Sequence, residues 1–184
     1  LPSVIDDIDL GISHVIRGED HVSNTGTQIE IFEALGGTVP AFGHHNLLTD
    51  AQGQGFSKRL GSQSIADFRN DGYEPLAIAI VATLTGTSLA VEPYDNLDAI
   101  AERLDLSMIS HGSARFDPAE LDTLNARLLH TMPYDAAVAR LSALGLEGEA
   151  MWLLLRENLT KFADIVEWSK LLTGPIEPII ADED

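Results

Sequence analysis

The first 37 residues contain a short apolar run followed by a polar turn and then a stretch with helical spacing. The run Ile12–Ile16 predicts a strand, and the polar residues Arg17–His21 follow it directly. Thr25 and Gln28 match a capping box that predicts the start of a helix, which Gly36 and Gly37 would end. A strand, a turn and a helix form the repeating unit of a parallel α/β sheet. Ligands bind beyond the carboxyl ends of such strands, which is where the turn lies.

The rest of the chain is predicted to be mainly helical. Residues 38–66 read mostly as loop, with a possible short strand at Asn46–Leu48. The run Leu76–Leu84 is apolar on nearly all sides and predicts a buried core helix. An N-cap aspartate, a proline and a glutamate at Asp117–Glu120 predict another helix start. Two or three more helices fit between Asp135 and Leu172.

Charge and composition exclude several classes of protein. The 184 residues carry 11 Lys and Arg against 29 Asp and Glu, a formal net charge of −18. Such acidity disfavours a nucleic-acid binder of the basic-patch type, although a local contact is allowed. The chain has no cysteine, which excludes disulfides, thiolate zinc sites and a cysteine nucleophile, and is compatible with a cytosolic location. No apolar run is long enough to span a membrane, and the absence of an initiator Met suggests an excised fragment.

The first candidate site is the turn that follows the predicted strand. Arg17 is the only basic residue in positions 1–50, and its planar guanidinium suits a carboxylate or a phosphate. Gly18 would let a ligand approach the backbone, and Asp20 could accept a hydrogen bond from a ribose hydroxyl. The alternative is an ion pair of Arg17 with Asp20 or Glu19 that only fixes the turn.

The second candidate site is the segment Ser57-Lys58-Arg59. It follows two glycines and lies in a stretch, residues 51–66, that contains no carboxylate. A glycine-rich loop that presents Lys and Arg has the outline of a phosphate clamp. It is not a Walker loop, because the G-x-x-x-x-G-K-[ST] pattern is missing. The alternative is a solvated basic turn.

The remaining polar clusters predict no metal site. His44 and His45 are adjacent, so their rings point apart in an extended chain, and no H-E-x-x-H pattern is present. Zinc is therefore not expected. The acidic residues Asp6–Asp9 read as a solvated turn rather than a cation site. Trp152 and Trp168 lie in apolar helical stretches and are predicted to belong to the core.

In their order along the chain, these pieces resemble the bacterial glutamyl-tRNA synthetases, which are class I aminoacyl-tRNA synthetases. Residues 5–25, with the run Val15-Ile16-Arg17-Gly18-Glu19-Asp20-His21, look like the second half of the family's Rossmann fold. Phe42–Leu48 looks like its adenine-side segment, and Phe56–Gly61 looks like its KMSKS signature. Ala114–Asp117 and Leu124-Asn125 look like its stem-contact region.

The resemblance implies a fold in three parts. Residues 1–37 would be an α/β fragment, the second half of the catalytic Rossmann fold. Residues 38–135 would hold the KMSKS loop and a mainly α-helical stem-contact domain, and residues 136–184 the beginning of a helical anticodon-binding domain. The family's other signature, HIGH, belongs to the first Rossmann half and has no counterpart here. The chain is therefore expected to be a slice of a longer enzyme and to be inactive in isolation.

The resemblance also implies a reaction and its residues. Class I synthetases join an amino acid to ATP, release pyrophosphate, and then transfer the acyl group to the 3′ end of a tRNA. By this likeness Arg17 would bind the glutamate substrate. Asp20 would contact ATP, and the backbone near Leu48 would hold the adenine. Lys58 would be the catalytic residue that stabilises charge developing on the phosphates, with Ser57 and Arg59 in the same ATP-binding signature.

The implied partners are those of the whole family. They are L-glutamate, ATP with Mg²⁺, and tRNA(Glu), in a cytoplasmic enzyme that is monomeric and has no membrane contact. One residue departs from the family pattern: position 55 is Gly where the KMSKS signature usually has its first Lys. The signature therefore lacks one of the cations that would face the phosphates of ATP, and Arg59 would have to supply part of that positive charge.

Three alternatives stay open at this stage. The paralogue that attaches glutamate to queuosine lacks the anticodon-binding domain, so the helical stretch Asp135–Leu172 argues against it, as does the intact Ser57-Lys58-Arg59. A glutaminyl-tRNA synthetase fits the R-G-E-D-H run less well. A non-catalytic tRNA-binding module would leave the nucleotide-site signatures unexplained.

Overall fold

The computed structural model describes residues 1–50, 53, 64–110 and 112–174. Within these residues the chain is rich in helix and has two small parallel sheets. The strands are β1 (His14–Gly18), β2 (Ala41–His45), β3 (Leu48–Thr49) and β4 (Ala114–Arg115). The helices are α1 (Pro2–Asp9), α2 (Val22–Ala34), α3 (Ile65–Asn70), α4 (Pro75–Leu84), α5 (Leu97–Arg103), α6 (Pro118–Thr131), α7 (Tyr134–Ala143), α8 (Glu149–Leu155) and α9 (Ile165–Thr173).

The chain divides into two compact units. The first contains the described residues of 1–57, 84–90 and 104–116, and therefore both sheets. The second contains the described residues of 58–83, 91–103 and 117–184 and consists of helices and their connections. The division at residues 37 and 135, taken from the resemblance, stays a prediction.

The first sheet confirms the predicted strand and adds one that the sequence did not reveal. β1 pairs in parallel with β2, and α2 lies between them along the chain, as in a parallel α/β unit. The prediction of a loop was wrong for Ala41–His45. This segment follows Pro40 and contains Gly43 and two histidines, all poor strand signals. Its strand conformation is stabilised by hydrogen bonds to β1, which are non-local.

The prediction of a solvated turn at Asp6–Asp9 was also wrong. These residues belong to α1, which begins with Pro2 in its first turn, a position where the missing N–H of proline has no cost. Val4 of this helix is 1% exposed, and Ile8 lies so close to Gly37 that a Cβ there would come within 2.5 Å of its side chain. The acidic residues lie on a helix that packs through its apolar face.

Helix α2 ends before Gly36 and Gly37 as predicted, but its predicted start at Thr25 was wrong. The residues Glu19–His21 form a 3₁₀ turn that continues directly into α2 at Val22. The hydroxyl of Thr25 lies 3.3 Å from the carbonyl of His21, one turn back, instead of capping a helix end. Thr25 is therefore an internal residue of the helix, with its side chain beside β1.

The helical predictions for the second unit are confirmed where local signals are strong. Asp117 caps α6 by accepting a hydrogen bond from the amide of Ala119, at 2.9 Å. Leu121 and Leu124 are buried, whereas the third predicted core residue, Leu128, is only partly buried. Three helices, α7 to α9, follow in the predicted stretch.

Trp152 is at the centre of the hydrophobic core of the second unit. Its ring is 0% exposed and stacks on Phe162 with the centroids 5.4 Å apart. Trp168 packs against the same cluster, so both tryptophans are core residues as predicted. The buried members of the cluster are Leu129, Ala137, Leu141, Trp152, Leu155, Leu159, Phe162 and Ile165.

Polar contacts connect the helices around this core. Glu74 and Arg140 form an ion pair with 2.8 Å between Oε1 and Nη1, and the guanidinium of Arg140 lies 3.6 Å from the centroid of the Phe162 ring. The fully buried Asn125 accepts from the amide of Glu74 at 2.8 Å and donates to the carbonyl of Thr160 at 2.6 Å. These contacts join the start of α4 to α6, α7 and the segment before α9.

Gly86 gives the first testable prediction. Its φ is +85°, and a Cβ there would clash with the side chain of Asn46 and lie 2.5 Å from the Cβ of Ala114. We expect Gly86→Ala to lower the free energy of unfolding by about 1–3 kcal/mol, measured by chemical denaturation. Gly112→Ala is the control, because a Cβ there has no neighbour within 4 Å. An equal loss in both variants would contradict the argument.

Candidate functional site

The candidate site lies in the first unit, at the carboxyl end of β1. Gly18 is the last residue of this strand, and a Cβ on it would lie 2.6 Å from Asp20 Oδ1 and 2.8 Å from Leu47 Cδ2. A side chain at this position would therefore require the ends of the Asp20 and Leu47 side chains to shift. It follows that Asp20 and Leu47 flank the end of the strand that carries Arg17.

Arg17 is held by a hydroxyl, a backbone carbonyl, an imidazole and an aromatic ring. Its Nη2 donates to Thr25 Oγ1 at 2.9 Å and lies 3.4 Å from the carbonyl of His21, and its Nε donates to His44 Nε2 at 3.4 Å. The guanidinium carbon lies 5.2 Å from the centroid of the Phe42 ring, within the range of a cation–π contact. The positive charge is therefore oriented without being neutralised by these neighbours.

The alternative ion pair does not form in the part of the chain that the structure describes. Arg17 has no contact there with the carboxylate of Asp20 or of Glu19. The Oδ2 atom of Asp20 instead lies 3.7 Å from Nε2 of His21, and both side chains are about half exposed. Asp20 is consequently accessible to a ligand at the strand end.

The register of the sheet brings His44 to this site. Arg17 is the partner of His44, and Val15 is the partner of Phe42, so these four side chains share one face of the sheet. His44 Nε2 also lies 3.1 Å from Thr25 Oγ1. The sequence analysis considered His44 as a metal ligand and within the Phe42–Leu48 segment, and Thr25 as a helix cap, but it did not predict that either side chain contacts Arg17.

The opposite face of the sheet is apolar and exposed. Ile16 is 59% exposed there and, with His14 and His45, lines a cavity of about 280 Å³ that Leu106 and Ile109 complete. Leu10, Val22 and Leu35, on the elements around β1, are more than half exposed as well. An uncovered apolar surface of this kind is typical of an interface.

The backbone amide and carbonyl of Leu48 point away from β4. In the second sheet the amide of Ala114 donates to the carbonyl of Leu47 at 3.0 Å. The amide of Phe116 donates to the carbonyl of Thr49 at 2.8 Å. Because these bonds involve the residues on either side of Leu48, its own amide and carbonyl point to the other edge of β3. Arg17, Asp20 and Leu48 all belong to the first unit.

The other predicted site residues, Ser57, Lys58 and Arg59, lie outside the described residues, as does Gly55. Their roles stay predictions. Across the described ranges, no three histidine, aspartate or glutamate side chains are grouped so that they could hold a metal ion. No helix in those ranges is long and apolar enough to cross a membrane.

Comparison with protein families gives one match that covers most of the chain. Residues 1–123 match the family model described as tRNA synthetases class I (E and Q), catalytic domain. Curated relatives match over the whole chain. A glutamate–tRNA ligase 2 of Methylobacterium radiotolerans is 56% identical over 99% of this chain, and one of Methylorubrum populi is 52% identical over 100%. The chain spans 42% of the length of each of these two relatives.

Solved structures give a consistent result. A glutamate–tRNA synthetase of Elizabethkingia anophelis superposes with a TM-score of 0.75 at 25% identity, covering 98% of this chain and 42% of its own. A glutamate tRNA ligase of Elizabethkingia meningosepticum, solved in complex with its amino acid, gives a TM-score of 0.78 at 26% identity, covering 98% of this chain and 41% of its own.

Proposed function

Because this chain belongs to the family of class I tRNA synthetases for glutamate and glutamine, we propose that it is a segment of a glutamate–tRNA ligase. The parent enzyme would join L-glutamate to ATP and transfer the glutamyl group to tRNA(Glu). The observation that carries the proposal is the oriented, un-neutralised Arg17 at the carboxyl end of β1, in a chain whose curated relatives are glutamate–tRNA ligases along its whole length.

Arg17 is the proposed glutamate-binding residue. A planar guanidinium forms short, charge-assisted hydrogen bonds with a carboxylate, and such a contact is strong where no nearby carboxylate competes for it. The described partners of Arg17 are a hydroxyl, an imidazole, a carbonyl and an aromatic ring, all of them neutral when His44 is unprotonated. The substrate carboxylate would supply the missing negative charge.

ATP would bind between the end of β1 and the edge of β3. Asp20 is half exposed at the strand end and could accept hydrogen bonds from the ribose. The outward amide and carbonyl of Leu48 match the hydrogen-bonding edge of adenine. The side chains of Asp20 and of Leu47, the neighbour of Leu48, both approach Gly18, and this proximity supports a shared ATP site.

Lys58 is the proposed catalytic residue, with Ser57 and Arg59 beside it in the ATP-binding segment. Its ammonium would stabilise the charge that develops on the phosphates as the glutamate carboxylate attacks and pyrophosphate leaves. This role is supported by the likeness of Phe56–Gly61 to the KMSKS signature. Mg²⁺ would bind together with ATP, as part of that substrate.

The finer layout follows the same family. We propose that residues 38–135 include the stem-contact domain, that the helices after residue 136 begin the anticodon-binding domain, and that the parent enzyme is a cytoplasmic monomer. The curated relatives favour a glutamate–tRNA ligase over the queuosine paralogue and over a non-catalytic module, because the matches named above are ligases along the whole chain.

Arg17→Ala tests the proposal in the full-length parent. We expect the KM for glutamate to rise by about 10- to 150-fold, which corresponds to about 1.5–3 kcal/mol for a hydrogen bond to a charged group, while the KM for ATP stays close to wild type. Arg17→Lys should be nearly as impaired, because it keeps the charge and loses the planar fork. The measurement is ATP–pyrophosphate exchange at varied glutamate and ATP concentrations.

Lys170→Ala is the control, since it removes an exposed cation in the second unit. A wild-type KM for glutamate in Arg17→Ala would refute the assignment of Arg17.

A further inference from the structure

Two side chains fix the orientation of the Arg17 guanidinium. Thr25, in the first turns of α2, binds Nη2 at 2.9 Å, and His44, on β2, binds Nε at 3.4 Å. The two residues also contact each other, with 3.1 Å between Thr25 Oγ1 and His44 Nε2. The three polar groups therefore form a closed triangle, built from the strand, the helix and the neighbouring strand.

The chemistry of the three groups sets their roles. A guanidinium can only donate hydrogen bonds, so Nε2 of His44 is the acceptor in its contact with Arg17 Nε. Thr25 Oγ1 accepts from Arg17, and its single proton points either to His44 Nε2 or to the carbonyl of His21, which lies 3.3 Å away. All three side chains are partly buried, which reduces the competition from water.

The arrangement leaves one nitrogen of Arg17 without a partner among the described residues. Nε and Nη2 are used by Thr25, His21 and His44, and the ring of Phe42 lies close to the guanidinium. Nη1 has no hydrogen bond within the described part of the chain. The edge of the guanidinium that carries Nη1 is therefore free to meet a ligand.

We infer that Thr25 and His44 are positioning residues that hold Arg17 so that Nη1 faces the carboxylate of the amino-acid substrate. The inference rests on the proposed function of Arg17 and extends it to two residues that do not touch the substrate. Without these contacts a long arginine side chain would sample several rotamers, and ordering it on binding would weaken the binding of the amino acid.

The first experiment uses the full-length parent enzyme and ATP–pyrophosphate exchange. Thr25→Val removes the hydroxyl with little change of shape, and we expect the KM for glutamate to rise about tenfold with the KM for ATP unchanged. Thr25→Ser keeps the hydroxyl and should restore a value near wild type. Thr27→Val is the matched control, because Thr27 is an exposed residue of the same helix.

His44 is tested in the same way. His44→Gln keeps an acceptor at the position of Nε2, and His44→Leu removes it. We expect the KM for glutamate to rise clearly in the leucine variant and far less in the glutamine variant. Equal effects of the two substitutions, or a parallel rise in the KM for ATP, would overturn the positioning role.

A double-mutant comparison separates this inference from the proposed function. If Thr25 acts through Arg17, adding Thr25→Val to Arg17→Ala should cause no further rise in the KM for glutamate. A full additional tenfold rise would overturn the inference. If Arg17→Ala alone left the KM for glutamate unchanged, the proposed function would fail. The NMR resonance of Arg17 Nε–H would then still show whether the contact between Arg17 Nε and His44 forms. A shift of this resonance in His44→Leu but not in Thr27→Val supports the contact between Arg17 Nε and His44, and an unchanged resonance in His44→Leu refutes it.

Discussion

Replacing Trp152 by alanine is expected to lower the free energy of unfolding by about 3–5 kcal/mol. The side chain is 0% exposed, stacks on Phe162 at 5.4 Å and donates from Nε1 to the carbonyl of Met132 at 3.0 Å. Its removal would leave a cavity among residues from four helices, which cannot close without moving them. Most domains are stable by only about 5–15 kcal/mol, so a large part of the margin would be lost.

The hydrogen bond of Trp152 contributes less to the stability of the fold than the packing of its buried ring. The carbonyl of Met132 also accepts from Arg156 Nη1 at 2.9 Å, so it keeps one partner when the indole is removed. Trp152→Phe should therefore cost less than Trp152→Ala. Urea denaturation followed by circular dichroism measures both. Leu154→Ala is the control on the same helix, because Leu154 is 62% exposed. Similar midpoints for Trp152→Ala and Leu154→Ala would contradict the assignment of Trp152 to the core.

The second large effect concerns activation of glutamate by the 184-residue chain alone. We expect no detectable glutamate-dependent ATP–pyrophosphate exchange from it. The chain spans 42% of the length of the two Methylobacterium and Methylorubrum relatives, and within the described residues the sheet that carries Arg17 has two strands. Ile16, on the exposed face of that sheet, is 59% exposed and would be covered in the proposed parent enzyme. Holding two reactants in place can supply effective molarities of about 10⁵–10⁸ M, and this advantage is lost when part of the binding surface is missing.

The purified chain is assayed with and without tRNA, and the full-length parent serves as the positive control. The matched negative control is Lys58→Ala in the same 184-residue chain, which removes the proposed catalytic cation. Exchange clearly above this control would show that the segment alone activates glutamate, and the proposal that it needs the rest of the parent would be wrong.

Local signals in the sequence were sufficient for part of the fold. The start of α6 is determined by Asp117 and Pro118, because the N-cap carboxylate accepts from a free backbone N–H of the first turn and proline has no N–H that would need a partner there. The end of α2 is determined by Gly36, whose φ of +69° is easily adopted by glycine. The uniformly apolar run Leu76–Leu84 predicted a core helix, and α4 has four buried residues.

The sequence singled out Arg17 as a candidate site residue, and only the structure revealed its environment. Arg17 was the one basic residue in its region, which made it a candidate before any geometry was known. The sequence spacing could not show whether Arg17 forms an ion pair with Asp20 or stays accessible to a ligand, because both residues lie in one short turn. The described structure places Asp20 beside His21 and Arg17 beside Thr25.

Elements formed by non-local contacts were decided by the tertiary structure alone. β2 is a strand because β1 offers its hydrogen-bonding edge, although its own residues favour a loop. The same register places His44 opposite Arg17, 27 positions away in the chain. Helix α2 begins at Val22, three residues before the capping signal at Thr25. Thr25 is therefore inside the helix, and its side chain contacts Arg17 of β1. Local signals depend on a few neighbouring backbone groups, whereas each of these contacts depends on how the strand, the helix and the next strand pack together.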